Sequence, residues 1–402
     1  MKIFQINTVC GVGSTGRIAT DLYHVLQQEG YSCCIAYGRG SAPADVESYK
    51  IDSTADVYFH TLLSRLTDGE GLYSKKATKR LVAFIKRYDP DIIHLHNIHG
   101  HYLHYPTLFN FLSDYQKPVV WTLHDCWAFT GHCAYFDYVG CPLWKTGCHD
   151  CPQLGSYPQS YGVDHSCRNF ERKKALFTSV KNLYLVTPSQ WLADLVKESF
   201  LGKYPIQVIH NGIDTSIFKP TSSEFREKYN LQDKKIILGV ASPWSARKGL
   251  QDFIKLAAML PDEWKIVLVG LSAKQKSSLP DSIIGLERTN NARELAQLYT
   301  AADVFFNPTY EDNYPTTNLE ARACGTPVVT YDTGGSPESA GENGSVIEKG
   351  DLSSACKKII HTDISKYNEI DNKSFVGKQQ MYQKYGLLYK KIIQDMSLKN
   401  MT

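Results

Sequence analysis

No run of apolar residues in this 402-residue chain reaches the ~18 uninterrupted positions a membrane-spanning helix needs, so none is expected. The opening MKIFQINTVC is interrupted by Gln5 and Asn7 and leads at once into a glycine loop. It therefore lacks the apolar block and cleavage region of a secretory signal. Charge of one sign is also scarce. With 44 Lys and Arg against 41 Asp and Glu, the net charge is only +3. No whole-chain field attracts DNA or RNA, no nucleic-acid partner is expected, and any anionic ligand must be met locally. There is no low-complexity segment and no short repeat. These absences lead to the expectation of a cytoplasmic protein, with peripheral contact at the inner face of the membrane left open. Cysteine, by contrast, is abundant: six of the 11 fall between Cys126 and Cys167. In that compartment such a cluster reads as a metal site before it reads as a disulfide framework.

The length suits two domains, and 43% apolar with 21% charged residues is ordinary globular composition. Short β runs rich in Val, Ile and Tyr alternate with amphipathic helical periods. The first series comprises Lys2 to Asn7, Ser32 to Tyr37, Asp91 to His96, Pro118 to Leu123, Asn182 to Thr187 and Ile206 to Ile209. The second comprises Lys235 to Val240, Trp264 to Val269, Ile283 to Leu286, Asp303 to Asn307 and Pro327 to Thr330, with helices at Leu250 to Leu260, Ala292 to Ala302 and Thr316 to Cys324. The strands are too continuously apolar for a sheet with one wet face. The expectation is an α/β protein of two doubly wound parallel-sheet domains, 1–215 and 216–375, facing a central cleft. A helix from Ser374 to Met396 carries the stripe Met381, Tyr382, Tyr385, Leu388, Tyr389 and Ile392. As segment 376–402, it is expected to pack back towards the N-terminal domain.

Ligands of open α/β sheets bind at the carboxyl ends of the strands, so the loops there carry the chemistry. The strongest pattern runs from Asn307 to Val329: a buried strand, the acidic loop Glu311-Asp312, Pro315, then a helix. Amides around Thr316 and Thr317 at its start form an anion site, and Glu320, one turn further on, can accept from both hydroxyls of a ribose. In Ser242-Pro-Trp-Ser-Ala-Arg-Lys-Gly249, Arg247 and Lys248 at a helix start call for a second negative partner, and a diphosphate fits. In the first half, Gly11-Val-Gly-Ser-Thr-Gly-Arg17, with Gly13 and Gly16, lets backbone approach a ligand. Its spacing also invites a nicotinamide-dinucleotide reading, but no carboxylate ends the second strand to hold a ribose. His94, His96 and His124 lie at or just past strand ends and are expected to face the cleft, with His124 the functional choice.

In these residues the chain resembles the retaining family-4 glycosyltransferases of GT-B fold, the class that builds bacterial polysaccharides. It resembles in particular a subgroup with a cysteine-rich insert after the His-Asp pair. The likeness rests on the glycine loop, Thr122-Leu-His-Asp125, Thr187-Pro-Ser189, Asn211-Gly-Ile-Asp214 through Phe218, Arg247-Lys-Gly249, the acidic loop with Glu320, Gly325-Thr-Pro-Val-Val329 and Gly334-Gly-Ser-Pro-Glu338. The resemblance implies two Rossmann-like domains and a nucleoside-diphosphate sugar donor. Glu320 would hold the ribose, Lys248 the diphosphate, and the amides near Thr316 and Thr317 the distal phosphate. His124 would contact the donor sugar or the acceptor, a glycan or a lipid-linked saccharide. It also implies catalysis without a metal cofactor. The usual E-x7-E pair is met by Asp312 and Glu320, one residue off Glu311, so Asp312 takes the first acidic role with Glu311 its rival. Pro243 stands where an arginine is expected, and Arg247 supplies the missing charge.

The insert reads Cys133-x7-Cys141-x6-Cys148-x2-Cys151, a set able to close a tetrahedral structural zinc site, with His132 and His149 as spare candidates. A metal would order a segment, Thr130 to Tyr161, that is otherwise a long loop. The competing account is four reduced thiols packed as small apolar groups. Two other functions stay in view: a nucleotide-sugar epimerase sharing the fold, and a non-catalytic glycan- or metal-binding protein.

Overall fold

The computed structural model describes residues 1–362 and 377–399. Among them lie thirteen strands in two all-parallel sheets. In chain order, β1 is Lys2–Val9, β2 Ser32–Arg39, β3 Ser48–Lys50, β4 Ile92–Leu95, β5 Val119–Thr122, β6 Leu183–Thr187 and β7 Ile206–Val208. The second sheet comprises β8 Lys235–Val240, β9 Trp264–Val269, β10 Ile283–Leu286, β11 Val304–Asn307, β12 Val328–Tyr331 and β13 Ser345–Ile347. Their orders are β3-β2-β1-β4-β5-β6-β7 and β10-β9-β8-β11-β12-β13. In each sheet the order reverses once, between β1 and β4 and between β8 and β11. Loops leaving the two strands at such a reversal run to opposite faces and open a crevice between them.

The packing explains why the strands are so apolar. Along β8, Ile237 and Leu238 belong to different core clusters; so do Ile266 and Val267 in β9, and Val304 and Phe305 in β11. Successive side chains alternate faces, so a strand feeding two cores must be apolar at every position. Helices fill both faces and start on side-chain caps: Ser53 accepts from Asp56 N–H, Ser189 from Leu192 N–H and Asn291 from Glu294 N–H.

The chain divides into two compact units. One joins Met1–Ile209 to Met381–Thr402; the other is His210–Gln380. The last helix, Lys378–Lys399, thus supplies most of its length to the first unit. The start expected at 374–376 lies outside the described residues. All six residues of its apolar stripe are buried, whereas Leu387, off the stripe, is 65% exposed. Tyr389 Oη and His94 Nδ1 are hydrogen-bonded at 2.7 Å, and Tyr385 Oη and Thr122 Oγ1 at 3.1 Å. The helix therefore closes over the ends of β4 and β5.

Candidate functional site

The reversal point of the second sheet gathers the residues singled out there. The loop after β8 ends in a turn, Ala246–Lys248, followed by Gly249 at φ 74. Arg247 and Lys248 thus precede the helix Leu250–Ala257 rather than opening it. A Cβ on Gly249 would lie 2.2 Å from the Pro308 carbonyl, so only glycine lets this loop pass so close to the one leaving β11. The two loops are laced: Tyr310 N–H donates to the Arg247 carbonyl at 2.8 Å, and the Arg247 guanidinium donates back to the Glu311 carbonyl. Lys248 Nζ pairs with Asp312 Oδ2. Glu311 is fully buried, while Asp312 and Lys248 stay partly exposed. A third strap comes from Gly335 N–H, which donates to the Asp312 carbonyl at 3.0 Å.

Three residues on, Pro315 caps the helix Thr316–Ala323 at φ −65. Thr316, Thr317 and Glu320 are half-buried on it. Tyr299, itself buried, donates its hydroxyl to Glu320 Oε2 at 3.0 Å and so fixes the carboxylate. Burial first, and then the Glu320 charge, hold the Tyr299 phenol well above its usual range.

Asn318 mounts this helix and was not singled out from the sequence. Its amide donates to Ser336 Oγ at 3.2 Å and Ser339 Oγ at 2.9 Å, and its oxygen accepts from Asn307 Nδ2 at 2.9 Å. Thr330 Oγ1 and Ser336 Oγ close the set at 2.7 Å. A buried network satisfied this fully is costly to open. Asn318→Ala is expected to lower the stability of the second unit by roughly 2–3 kcal/mol in urea titrations, since several partners lose their bonds at once.

The other candidates lie in the first unit. Gly13 opens the helix Gly13–Gln28 at φ 65, and Gly16 sits where a Cβ would touch Val9 Cγ2 at 3.0 Å. Gly16 therefore serves close helix–strand packing. β2 ends at Arg39, so no carboxylate stands there. The expectation that His94 and His96 face a cleft is corrected: both are buried. His94 bonds Thr122 Oγ1 at 2.8 Å and Tyr389, and His96 bonds Gln5 Oε1 at 3.0 Å. Strand-end position predicted exposure, but the C-terminal helix covers this edge. His124 alone of the three is partly exposed, with Nε2 3.2 Å from His96 Nδ1. Burial pushes its imidazole down to about 4, so it is neutral at physiological pH.

Cys133, Cys141, Cys148 and Cys151 line one small cavity of about 10 Å³. Cys133 and Cys151 are hydrogen-bonded, which brings the Cys151 thiol down to about 7, and Cys148 Sγ accepts from Gly131 N–H at 3.2 Å. All four are free thiols. The insert is pinned from beneath by buried Lys173, whose ammonium donates to the carbonyls of Trp127 at 2.7 Å and Thr130 at 3.0 Å. It also lies 3.4 Å from the Trp127 ring centre.

With this geometry in hand, comparison with known proteins decides the family. Residues 15–217 match the model of Glycosyltransferase Family 4, and residues 221–374 that of Glycosyl transferases group 1. The chain belongs to glycosyltransferase family 4. It is 25% identical to a protein of Escherichia coli (strain K12) named for colanic acid biosynthesis, the glycosyl transferase WcaC, over 98% of this chain and 100% of that one. Among solved structures it is similar to sucrose-phosphate synthase from Thermosynechococcus elongatus, with a TM-score of 0.70 at 15% identity over 98% of this chain and 99% of that one. It is also similar to Anabaena HepE in complex with UDP-glucose, at a TM-score of 0.60, 14% identity and 99% coverage of both chains. The fold of this glycosyltransferase is GT-B, two Rossmann-like parallel-sheet domains.

Proposed function

We propose that this glycosyltransferase moves a hexose or related sugar from a nucleoside diphosphate to a glycan or lipid-linked acceptor, with retention of configuration, in cell-surface polysaccharide biosynthesis. One observation carries the reading: at the reversal of the second sheet, the β8 loop sets Lys248 against Asp312, three residues before Pro315 caps the next helix. That arrangement offers an ammonium and a helix start to a diphosphate, and a carboxylate to sugar hydroxyls. Glu320, fixed by Tyr299, suits the ribose of the nucleoside. The UDP-glucose held by HepE and the colanic acid role in the name of WcaC support the donor class and the process.

The chemistry follows from these groups. The acceptor oxygen attacks the anomeric carbon on the face from which the diphosphate leaves. The bond between carbon and phosphate oxygen breaks, and the acceptor's proton passes to the departing phosphate. Lys248 and the amides at Thr316 and Thr317 stabilise the charge that builds there. The four cysteines of the insert line one small cavity and one sulfur accepts an amide hydrogen bond, but among the described residues no three of their sulfurs lie within 4.8 Å of one another, so a structural zinc there would have to draw them together. No described helix is long and apolar enough to cross a membrane. The helix Thr54–Thr67 does expose Tyr58, Phe59, Leu62 and Leu66 at 51–73%, which supports peripheral contact with a membrane carrying the acceptor.

A thermal-shift screen against nucleoside diphosphates and their sugars tests the donor. One base should stabilise the chain, by about 2.7 kcal/mol at a hundredfold excess over its Kd. Product analysis should then find nucleoside diphosphate and an acceptor-linked sugar in the donor's anomeric configuration. A free epimerised sugar, or no nucleotide binding, would overturn the reading.

A further inference from the structure

Three buried residues of the first unit have no part in the site described so far. His60 lies on the helix Thr54–Thr67, Glu70 just beyond it, and His101 in the loop after β4. They are 1%, 7% and 7% exposed. One potential ligand atom from each lies within 4.8 Å of the other two. Each also keeps one buried atom without a hydrogen-bond partner: His60 Nε2, Glu70 Oε2 and His101 Nδ1. The last two touch as an ion pair, but not in hydrogen-bond alignment. Leaving a buried polar atom unpaired costs roughly 1–3 kcal/mol; His60 Nε2 bears that cost outright, while Glu70 Oε2 and His101 Nδ1 have only each other, so the three atoms suit a common partner. A single cation satisfies all three. We propose that His60, Glu70 and His101 bind a divalent transition metal of the zinc class.

The remaining atoms of these side chains are arranged as metal ligands require. His60 Nδ1 is held by Ser74 Oγ at 2.8 Å. Glu70 Oε1 accepts from the amides of Gly100 at 2.7 Å and His101 at 2.9 Å. Such outer bonds fix ring and carboxylate orientation and leave the opposite atom for the ion. Burial pushes the His60 imidazole down to about 4, so it is neutral and able to ligate. For Glu70, burial acts upwards, yet the contact and charge of His101 hold the carboxyl well below its usual range, so it is ionised. The backbone is strained to present the set: His101 adopts φ 64, at a cost of roughly 1–3 kcal/mol that the surroundings must over-determine.

Two imidazoles and a carboxylate suit zinc and its neighbours, and three protein ligands leave a further position. His101 also lines a cavity of about 540 Å³ with Arg39, Tyr58 and Tyr157, from which water or the oxygen of a small ligand can complete the shell. The metal would tie the helix with the exposed apolar face to the loop at the reversal of the first sheet.

Because the cysteines of the insert also attract zinc, the test removes them first. Tag-free Cys133→Ser/Cys148→Ser protein, stripped with a chelator, is titrated with zinc and examined by X-ray absorption. The expected result is about one tightly held equivalent with nitrogen and oxygen neighbours and no sulfur. Adding Glu70→Gln or His60→Gln, either of which removes a ligand, should weaken binding by more than the roughly 10–100-fold that loss of an outer-shell partner costs. If the cysteine variant does not fold, the wild-type spectrum decides, since nitrogen or oxygen at about 2.0–2.1 Å separates from sulfur at about 2.3 Å. Sulfur neighbours alone in the wild type, no metal in the cysteine variant, or undiminished affinity in Glu70→Gln would overturn the site.

Discussion

Glu320→Gln is expected to lower kcat/KM for the donor by roughly 10²–10³-fold, while the melting temperature without nucleotide stays nearly unchanged. A hydrogen bond to a charged group contributes about 1.5–3 kcal/mol, and two ribose hydroxyls would share this carboxylate. Every 1.4 kcal/mol is tenfold, so losing the charge but not the shape gives that range. The fold should tolerate the change because Glu320 is half-buried and the Tyr299 hydroxyl can still donate to the amide oxygen. Tyr299→Phe removes only the bond that orients the carboxylate, so its effect should be smaller and fall mainly on donor KM. The measurement is steady-state transfer with the preferred donor, beside a thermal melt of each variant. Wild-type kinetics in Glu320→Gln would remove the ribose role and with it the main argument for where the nucleoside sits.

Acid should undo the first unit well before its carboxylates titrate. Burial, and after it His124, holds the His94 imidazole down to about 3; burial, then His94 and His124, holds that of His96 far below its ordinary 6.5. Between those depressed values and 6.5, the unfolded chain binds more protons than the folded one, so stability rises with pH across this window. The full contribution is present above about 6.5 and is lost progressively as pH falls. At pH 5 buried His94 costs about 2 kcal/mol, and His96 adds to the loss in the same direction. Against a total of 5–15 kcal/mol typical of a domain, that is a large share. Urea unfolding at pH 7 and pH 5, followed by amide exchange in β1 and β4, should show the loss in wild type. His94→Gln should show a loss smaller by about 2 kcal/mol, the rest coming from His96 and the other buried histidines of the unit. Parallel pH dependences for the two proteins would refute the assignment.

Where the sequence was readable, a local pattern and the tertiary structure demanded the same thing. β8, β9 and β10 begin and end where their β-rich runs do; β8 and β9 are apolar along most of their length because both faces feed a core, with Lys235 and Lys265 the polar positions. β3 and β13 escaped notice: each is three residues at a sheet edge, none of them fully buried and with no long apolar run. Lys248 and Asp312 could be picked out by spacing within single loops, but not their mutual ion pair, which joins residues 64 positions apart. Tyr299 and Asn318 carry no signal of their own; their importance comes from partners on other elements. The same holds for His60, Glu70 and His101, whose separations fit no ligand motif. For the histidines of β4 and the loop after it, the missing fact was the cover supplied by a helix almost 300 residues later, with 295 positions between His94 and Tyr389.

That long return has a consequence for how the molecule is made. A ribosome adding roughly 5–20 residues per second releases β1 to β7 long before it reaches Met381, and domains ordinarily fold in order of emergence. Here the earlier-made unit cannot be finished until the second unit has been synthesised, because its edge around His94 and Thr122 is sealed by the helix Lys378–Lys399. A fragment stopping at Ile209 would carry a bare apolar seam where Tyr385 and Tyr389 belong, and the nascent chain must keep that seam covered or out of reach while the second unit is being built.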